Sequence, residues 1–174
     1  MWSCDLTLGE NGLMTDASHL HDVIRELDDH IANSGWDQPT ALFAIVSGDP
    51  DSPEQTDAAS VQSNKQLLFE PQGIDFSDQA IIDVLRTLGW DEAVSGLAIA
   101  AERIISVENE DAKDLEQDAY STTQEIRVLA IVMRTGETMN AIRYRSHDEP
   151  DDLLTGENLV PELNQALLMS LTTD

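Results

Sequence analysis

The sequence has very little positive charge. Of its 174 residues only 9 are lysine or arginine, against 34 aspartate and glutamate, so the formal net charge is −25. A field of this sign repels phosphate backbones and anionic membranes and attracts basic partners. We therefore expect no nucleic-acid and no membrane binding, and a protein partner with a basic or apolar segment. High negative charge also keeps a protein soluble, which is the competing explanation.

Cysteine and long apolar runs are also scarce. A single cysteine, Cys4, cannot form an internal disulfide, which fits a reducing cytoplasm. The longest apolar runs, near Leu97–Ala101 and Val128–Met133, fall far short of the roughly 20 residues of a membrane span. Residues 1–5 have neither a basic nor a long apolar region, so we expect no secretory signal and a cytoplasmic location.

Familiar catalytic and cofactor motifs are missing too. The sequence has no glycine-rich phosphate loop, no Gly-x-Ser-x-Gly elbow and no cysteine pair for zinc. His19 and His21 lie two residues apart on a predicted helix, so their side chains diverge and cannot chelate one ion. The acidic run 148–152 lacks the spacing of a calcium loop. We predict no metal and no cofactor, and we favour a protein without enzymatic activity.

The patterns that are present predict an α+β domain. Apolar residues recur at helical spacing in some segments and form strand patterns in others. The predicted helices lie at about 16–34, 53–67, 77–88 and 158–171, and the predicted strands at 40–47, 94–107, 124–134 and 138–146. We predict a mostly antiparallel sheet of four or five strands with helices packed on at least one face.

This domain is expected to span residues 15–174 as a single unit. Glycines break any periodicity within residues 1–14, which we interpret as a disordered extension or a misassigned start. The helix starts have candidate caps, because serine, aspartate and asparagine side chains accept hydrogen bonds from free backbone N–H groups. In chain order they are Asp16 or Ser18, Asp51 or Ser52, Ser77, and Asn158. The segment 108–118 is predicted to be an acidic, solvated connector.

Gly-Trp-Asp occurs twice, and we refer to Gly35–Asp37 as the first corner and Gly89–Asp91 as the second corner. Each lies between a predicted helix and a predicted strand. With the two aligned, core positions of the following strands coincide, so that Ile45 falls on Ile99. The glycine can end a helix in the left-handed conformation, and the tryptophan can fold back over the helix end. The repeat is either a local packing device or an internal duplication.

Several short strings resemble a family of uncharacterised actinobacterial proteins. They are Gly35-Trp36-Asp37-Gln38-Pro39, Leu42–Val46, Val94-x-Gly96, Glu102-Arg103, and Arg143–Asp148 ahead of Leu159-Val160-Pro161. The resemblance covers roughly residues 18–172 and implies a cytoplasmic α+β domain of unknown function. It supplies no activity, cofactor or catalytic residue. In that family proline commonly follows the second tryptophan, whereas Asp91 stands here, which weakens the duplication hypothesis.

Positive charge is concentrated in residues 124–147, which carry a net charge of +2 in this acidic chain. The planar guanidinium of arginine suits carboxylate and phosphate groups. The candidate ligand-binding residues are Arg103, Arg127, Arg143, Arg145, His147 and Asp148. His147 beside Asp148 could be a base with its orienting carboxylate or a metal ligand, or a loop histidine bonded to the backbone. The competing interpretation of the arginines is that they pair with internal carboxylates.

The hairpin between the last two predicted strands decides which arginines meet. Arg143 and Arg145 share one face, because side chains alternate along a strand. A two-residue loop would pair Arg127 with Tyr144 on the opposite face, and a three-residue loop would pair it with Arg145 on the same face. Two opposed arginines cost stability unless an anion or carboxylate lies between them.

Two functional hypotheses follow. The first is a non-enzymatic acidic binding or adaptor module, similar in outline to secretion-type chaperones, which forms a homodimer or a stable complex. The second is a small-molecule anion-binding protein or enzyme with a site built from Arg143, Arg145, His147 and Asp148. It requires these side chains to converge in one pocket, and it fails if the arginines pair with acidic residues of the terminal helices. We favour the first.

Overall fold

The structure, a computed structural model, describes residues 7–47, 59–61, 67–76, 80–108 and 121–173. In chain order its elements are α1 (Thr7–Ala32), β1 (Ala41–Ser47), β2 (Ala59–Val61), β3 (Leu67–Gln72), α2 (Ile81–Leu85), β4 (Val94–Glu108), β5 (Ser121–Met133), β6 (Thr138–Tyr144), β7 (Leu154–Gly156) and α3 (Pro161–Thr172). The strands form one sheet in the order β2-β3-β1-β4-β5-β6-β7, and every neighbouring pair is antiparallel. The predicted antiparallel α+β architecture is confirmed, with more strands than the four or five expected.

Helices cover both faces of this sheet. On the first face α1 buries Leu20, Val23, Ile24 and Leu27 against strand residues that include Ile45, Phe69, Leu129 and Ile131. On the second face α2 and α3 bury Ile81, Leu85, Leu167 and Leu171 against residues that include Leu42, Leu97, Ile99 and Val132. Strands that are buried on both faces read as continuous apolar runs, which is why β1, β4 and β5 show little alternation in sequence.

β4 and β5 pair with each other beyond the limits of their outer neighbours. β1 pairs with β4 only as far as Ala100, and β6 pairs with β5 only as far as Ile126. The β4–β5 ladder continues to Glu108 and Ser121, and it places Glu102 opposite Arg127. The two strands therefore extend from the sheet as a ribbon, and its base carries an acidic and a basic residue side by side.

The helix predicted at 53–67 is wrong where the structure describes it. Residues Ala59–Val61 form β2 and pair with the start of β3. In sequence this segment has only a thin apolar face, whereas the run Leu67-Leu68-Phe69 is buried in the sheet. β3 was missed because this run was assigned to the end of a helix, and β7 was missed because it is only three residues long. The rest of that predicted helix lies outside the described residues.

Helix boundaries also differ from those predicted. α1 begins at Thr7, so it includes Gly9 and Gly12 and starts earlier than expected. α2 is restricted to Ile81–Leu85, and the predicted cap Ser77 lies outside the described residues, as do residues 109–118 of the acidic connector. No described helix has the length and apolar character needed to cross a membrane.

The predicted cap of the last helix is wrong. α3 begins at Pro161, and Val160 precedes it without a side-chain cap. The free N–H groups of Leu159 and Val160 instead donate to Oδ1 of Asn140, at 2.9 and 3.2 Å. Asn140 is fully buried in β6 and also exchanges side-chain hydrogen bonds with Asn164 of α3. The sheet therefore fixes the segment that leads into the closing helix, through a residue distant in sequence.

Gly96 of β4 marks the closest approach in the sheet. A Cβ atom at this position would lie 2.7 Å from the carbonyl oxygen of Val132 and 2.7 Å from the sulfur of Met133. We expect Gly96→Ala to lower the free energy of unfolding by about 1–3 kcal/mol, because the sheet has to shift to admit the methyl group. Gly89→Ala is the matched control, since nothing lies within 4 Å of a Cβ there. Urea denaturation measures both, and equal effects would contradict the prediction.

Candidate functional site

The hairpin between β5 and β6 brings three arginines to one face of the sheet. The structure pairs Arg127 with Arg143, so both predicted registers are wrong. The loop is Arg134-Thr135-Gly136: the N–H of Gly136 donates to Met133 O, and Gly136 has a φ of 100°. Because β5 ends earlier than predicted, Arg127 lies directly opposite Arg143. We call Arg127, Arg143 and Arg145 the arginine cluster; it lies on the α1 side of the sheet.

Arg143 forms a buried ion pair with α1. Its side chain is 5 % exposed and that of Asp28 is 1 % exposed, and their closest N···O distance is 2.5 Å. Both Nε and Nη2 donate to the Asp28 carboxylate, while Nη1 donates to the carbonyl oxygen of Glu149 at 2.6 Å. These hydrogen bonds from Arg143 to Asp28 raise the pKa of Arg143 above its ordinary value. The pair ties the helix to β6 across a sequence separation of 115 residues.

Arg127 is buried beside it and holds the first corner. Its Nη2 donates to Gly35 O at 2.6 Å and to Oε1 of Glu102 at 3.3 Å. Its guanidinium carbon lies 4.4 Å from the centre of the Trp36 ring, in cation–π contact. The Nε and Nη1 atoms of Arg127 are buried without a hydrogen-bond partner among the described residues. Glu102 thus supplies a carboxylate beside the two opposed arginines, which offsets the cost of pairing like charges.

Arg145 completes the cluster at the surface. Its guanidinium bonds both carboxylate oxygens of Asp37 at 3.0 Å and Oε2 of Glu125 at 2.5 Å. The hydrogen bonds and positive charge of Arg145 hold the pKa of Asp37 below its ordinary value. The same contacts raise the pKa of Arg145. The arginine is therefore paired with carboxylates of the protein itself.

The first corner is shaped to reach this cluster. Gly35 has a φ of 80°, as expected for a glycine that ends a helix, and Asp37 has a φ of 65°, unusual for a residue with a side chain. The N–H of Asp37 donates to Oε2 of Glu102 at 2.8 Å. Trp36 Nε1 donates to Oδ2 of Asp148 at 3.0 Å. Each residue of the corner therefore has its own contact with a strand or with the loop after β6.

His147 and Asp148 do not act on each other. The ring of His147 is exposed, and its Nδ1 lies 2.9 Å from Ser146 Oγ. Asp148 is turned to Trp36 and lies 3.7 Å from Nη1 of Arg143. The arrangement matches a loop histidine rather than a base held by a carboxylate. Among the residues that the structure describes, no group of three or more histidine, cysteine or acidic side chains could hold a metal ion.

The second corner is held by a different arginine on the opposite face. Arg134 donates to Asp91 O at 3.1 Å and to Val94 O at 3.1 Å, and also to Leu171 O of α3. Trp90 Nε1 donates to Ser170 Oγ at 2.8 Å. Each corner is thus fixed by arginine from the β5–β6 hairpin and by one tryptophan N–H: Arg127 and Arg145 bind the first corner, and Arg134 binds the second. Gly89 does not share the positive φ of Gly35.

The remaining candidate, Arg103, lies apart from the cluster. It is exposed, on the side of β4 that faces α2 and α3, and its Nη1 donates to the carbonyl oxygen of Glu102 at 2.9 Å. It lines a groove of about 600 Å³ that opens between the starts of α2 and α3. On the α1 side a smaller cavity of about 170 Å³ lies next to Arg127. The six candidates therefore do not converge in one pocket, since the cluster and the groove lie on different faces.

The sequence analysis did not predict the residues that pair with the arginine cluster. Asp28 follows Ile24 by one helical turn and so occupies the core-facing stripe of α1, where an acidic residue indicates a buried partner. Glu102 could be found only from the β4–β5 register, since it becomes the neighbour of Arg127 by pairing. The ring of Trp36 was expected to fold back over the end of the helix, whereas it lies against Arg127 and Arg145 of the sheet.

A family model described as PPA1309-like protein matches residues 20–172. The chain belongs to this family. The match confirms the resemblance to an uncharacterised family over nearly the predicted range, and it includes the arginine cluster and both corners. Searches of curated proteins and of solved structures found no significant match.

The buried pair of Asp28 and Arg143 can be tested by removing one charge. We expect Asp28→Asn to lower the free energy of unfolding by about 3–5 kcal/mol, because it leaves the Arg143 charge buried without its counter-ion. Adding Arg143→Met should restore some of the lost stability. Asp83→Asn is the matched control, since the Asp83–Arg86 pair is exposed and should contribute only about 0–1 kcal/mol. Equal losses in urea denaturation for both single variants would contradict a special role for Asp28.

The surface pair can be tested by titration. We expect Arg145→Gln to raise the pKa of Asp37 towards its ordinary value of 3.8, because the hydrogen bonds and charge that lower it are removed. In the wild type a lowered pKa means that Asp37 stabilises the fold above pH 3.8, and that this contribution is lost as the pH falls through the folded-state pKa. Carbon-13 NMR of the carboxylate measures the shift. An unchanged Asp37 pKa in Arg145→Gln would refute the pairing.

Proposed function

We propose that this protein is a non-enzymatic binding module that docks a segment of a protein partner, and that this segment carries apolar side chains flanked by basic ones. The observation that carries the proposal is the groove of about 600 Å³ between the starts of α2 and α3. Its volume lies in the range of ligand-binding pockets, and apolar surface left open in this way commonly marks a binding site. The single cysteine and the family resemblance favour an actinobacterial cytoplasm as its setting.

The groove has an apolar floor and apolar walls. Ala101 of β4 and Val128 of β5, which are neighbours in the ladder, form the floor. Ile81 and Ile82 of α2 form one wall, and Leu163 with its neighbours at the start of α3 forms the other. Strands and helix ends hold these side chains, so the groove exists before a partner arrives. Preorganisation of this kind reduces the entropy lost on binding.

Charge favours a basic partner over a second copy of the chain. Two molecules that each carry −25 repel, whereas a lysine- or arginine-rich segment is attracted and steered towards the surface. Arg103 and Glu162 at the groove provide one charge of each sign. A partner that combines apolar side chains for the floor with basic flanks meets both features. We therefore propose a complex with a different protein rather than a homodimer.

The anion-site hypothesis stays a prediction without an observation that favours it. The guanidinium groups of Arg143 and Arg145 already meet Asp28, Asp37 and Glu125. An anion at the cluster would have to displace one of these carboxylates. Asp28 belongs to the N-terminal helix. The anion-site hypothesis requires that the arginines do not pair with acidic residues of the terminal helices, so the Arg143–Asp28 pair counts against it. The groove on the other face requires no such displacement.

The proposal can be tested with short synthetic peptides that combine leucine with lysine, measured by fluorescence anisotropy. We expect binding that weakens as salt rises, and a loss of about tenfold or more in Leu163→Glu, because a carboxylate would be introduced into the apolar wall. Met169→Glu is the matched control: it makes the same change on the same helix at a residue that is 53 % exposed. Equal losses in both variants, or equal binding of lysine–serine peptides, would refute docking in the groove.

A further inference from the structure

The apolar floor of the docking groove continues across the sheet to its β7 edge. One residue on each strand from β4 to β7 forms this apolar row, in which neighbours are directly opposite in the ladders: Ala101, Val128, Ile142 and Leu154. Residues opposite one another in an antiparallel pair share a face of the sheet, so the row lies on the side that carries α2 and α3. Ala101 and Val128 line the groove, whereas Leu154 is 52 % exposed. The row therefore begins in the groove and ends at the surface.

Leu159 widens the outer end of the apolar row. It is 41 % exposed, and a Cβ atom at Gly156 would lie 2.9 Å from its Cδ2 atom. Gly156 and Leu154 point to the same face, because they are two residues apart in β7. Leu159 therefore lies on the face of Leu154, next to it. Isolated exposed apolar side chains are ordinary, but adjacent ones that continue from a groove mark a contact surface.

The direction of the apolar row favours a helical partner over an extended one. The row crosses strands whose backbone groups are already paired with one another in the ladders. An extended segment across this face would bury its own N–H and C=O groups without partners, which is costly. A helix satisfies these groups internally and presents apolar side chains along one face. Neighbouring strands lie about 4.8 Å apart, so the row is roughly 14 Å long and matches about ten residues of helix.

Charge distinguishes the two ends of the apolar row. At the β7 end, acidic residues precede and follow the strand, and residues 149–157 contain no lysine or arginine: the acidic ones are Glu149, Asp151, Asp152 and Glu157. None of them forms an ion pair with a residue that the structure describes. At the groove end, Arg103 and Glu162 provide one charge of each sign. Basic side chains of a partner are therefore attracted to the β7 end more than to the groove end.

Given the docking function proposed above, we infer that the partner segment is an amphipathic helix that lies along the apolar row with its basic flank at β7. Its apolar side chains contact Val128 and Leu163 in the groove, and then Ile142, Leu154 and Leu159. Its basic side chains meet the carboxylates on either side of β7. The groove selects for apolar side chains, and the outer part of the row adds selection for helical conformation and for direction.

Substitutions along the row test where the helix lies. The probe is a peptide of about twelve residues with leucine along one helical face and lysine at its C-terminal end, measured by fluorescence anisotropy. We expect Leu154→Asn to weaken binding about fivefold or more, because an apolar contact is lost without a change of charge. Met169→Asn is the matched control, since Met169 is 53 % exposed and lies outside the row. We expect it to bind as the wild type does.

Comparison with Leu163→Glu separates this inference from docking in the groove. A loss of binding in Leu163→Glu with none in Leu154→Asn would leave docking in the groove intact and overturn the helix along the row. No loss in either variant would overturn both. Equal losses in Leu154→Asn and Met169→Asn would also overturn the placement on the row.

A proline at the centre of the peptide tests the conformation. Proline interrupts a helix but is compatible with an extended segment. We expect binding to weaken about tenfold or more. Equal binding of the two peptides would show that the segment binds in an extended form, and would overturn the inferred helix.

A nitroxide on the peptide tests the direction without any change to the protein. Placed beside the lysines, it should broaden the backbone amide signals of Thr155 and Gly156 in proton–nitrogen NMR. Placed at the opposite end of the peptide, it should broaden the signal of Arg103 instead. The reverse pattern, or equal broadening from both ends, would overturn the inferred direction.

Discussion

The buried ion pair between Asp28 and Arg143 is the interaction on which the α1 side of the molecule depends. It is inaccessible to water and joins the first helix to a strand near the end of the chain. Once α1 is fixed there, its C-terminal end can deliver the first corner to Arg127 and Arg145. The apolar stripe of α1 would bury itself on many sheet surfaces, because hydrophobic contact is non-directional. The ion pair supplies the direction that hydrophobic burial lacks.

The sequence was informative wherever a local pattern determined the result. Continuous apolar runs located β1, β4 and β5, and helical spacing located the packed segments of α1 and α3. Charge and composition could not reveal β2 and β7, since three-residue strands take their conformation from the neighbour they pair with. Asn158 had the right chemistry for a cap, yet α3 has no side-chain cap. Asn140 of β6 instead binds the two N–H groups that precede the helix.

The geometry of the candidate site depends on the register between β5 and β6, and local sequence patterns did not predict that register. The sequence pointed to the correct arginines, but a loop that starts earlier than predicted changed which residue faces Arg127. Their acidic partners come from distant segments: Asp28 from the first helix and Glu102 from the preceding strand. The two helix–strand units pack alike, since each helix lies on the face towards which Ile45 or Ile99 of its own strand points. The corners themselves differ, because Gly89 lacks the positive φ of Gly35.

The inward placement of arginine changes what another molecule meets at the surface. Arg127 and Arg143, two of the few cations in the chain, are withdrawn into the interior and neutralised by internal carboxylates. The carboxylates left outside have few cations nearby to offset them, so mobile counter-ions from solution must do so. A molecule that approaches therefore meets a dense layer of sodium or potassium ions before it meets protein. Release of those ions into the solvent is a favourable entropy that a basic partner gains and a neutral one does not.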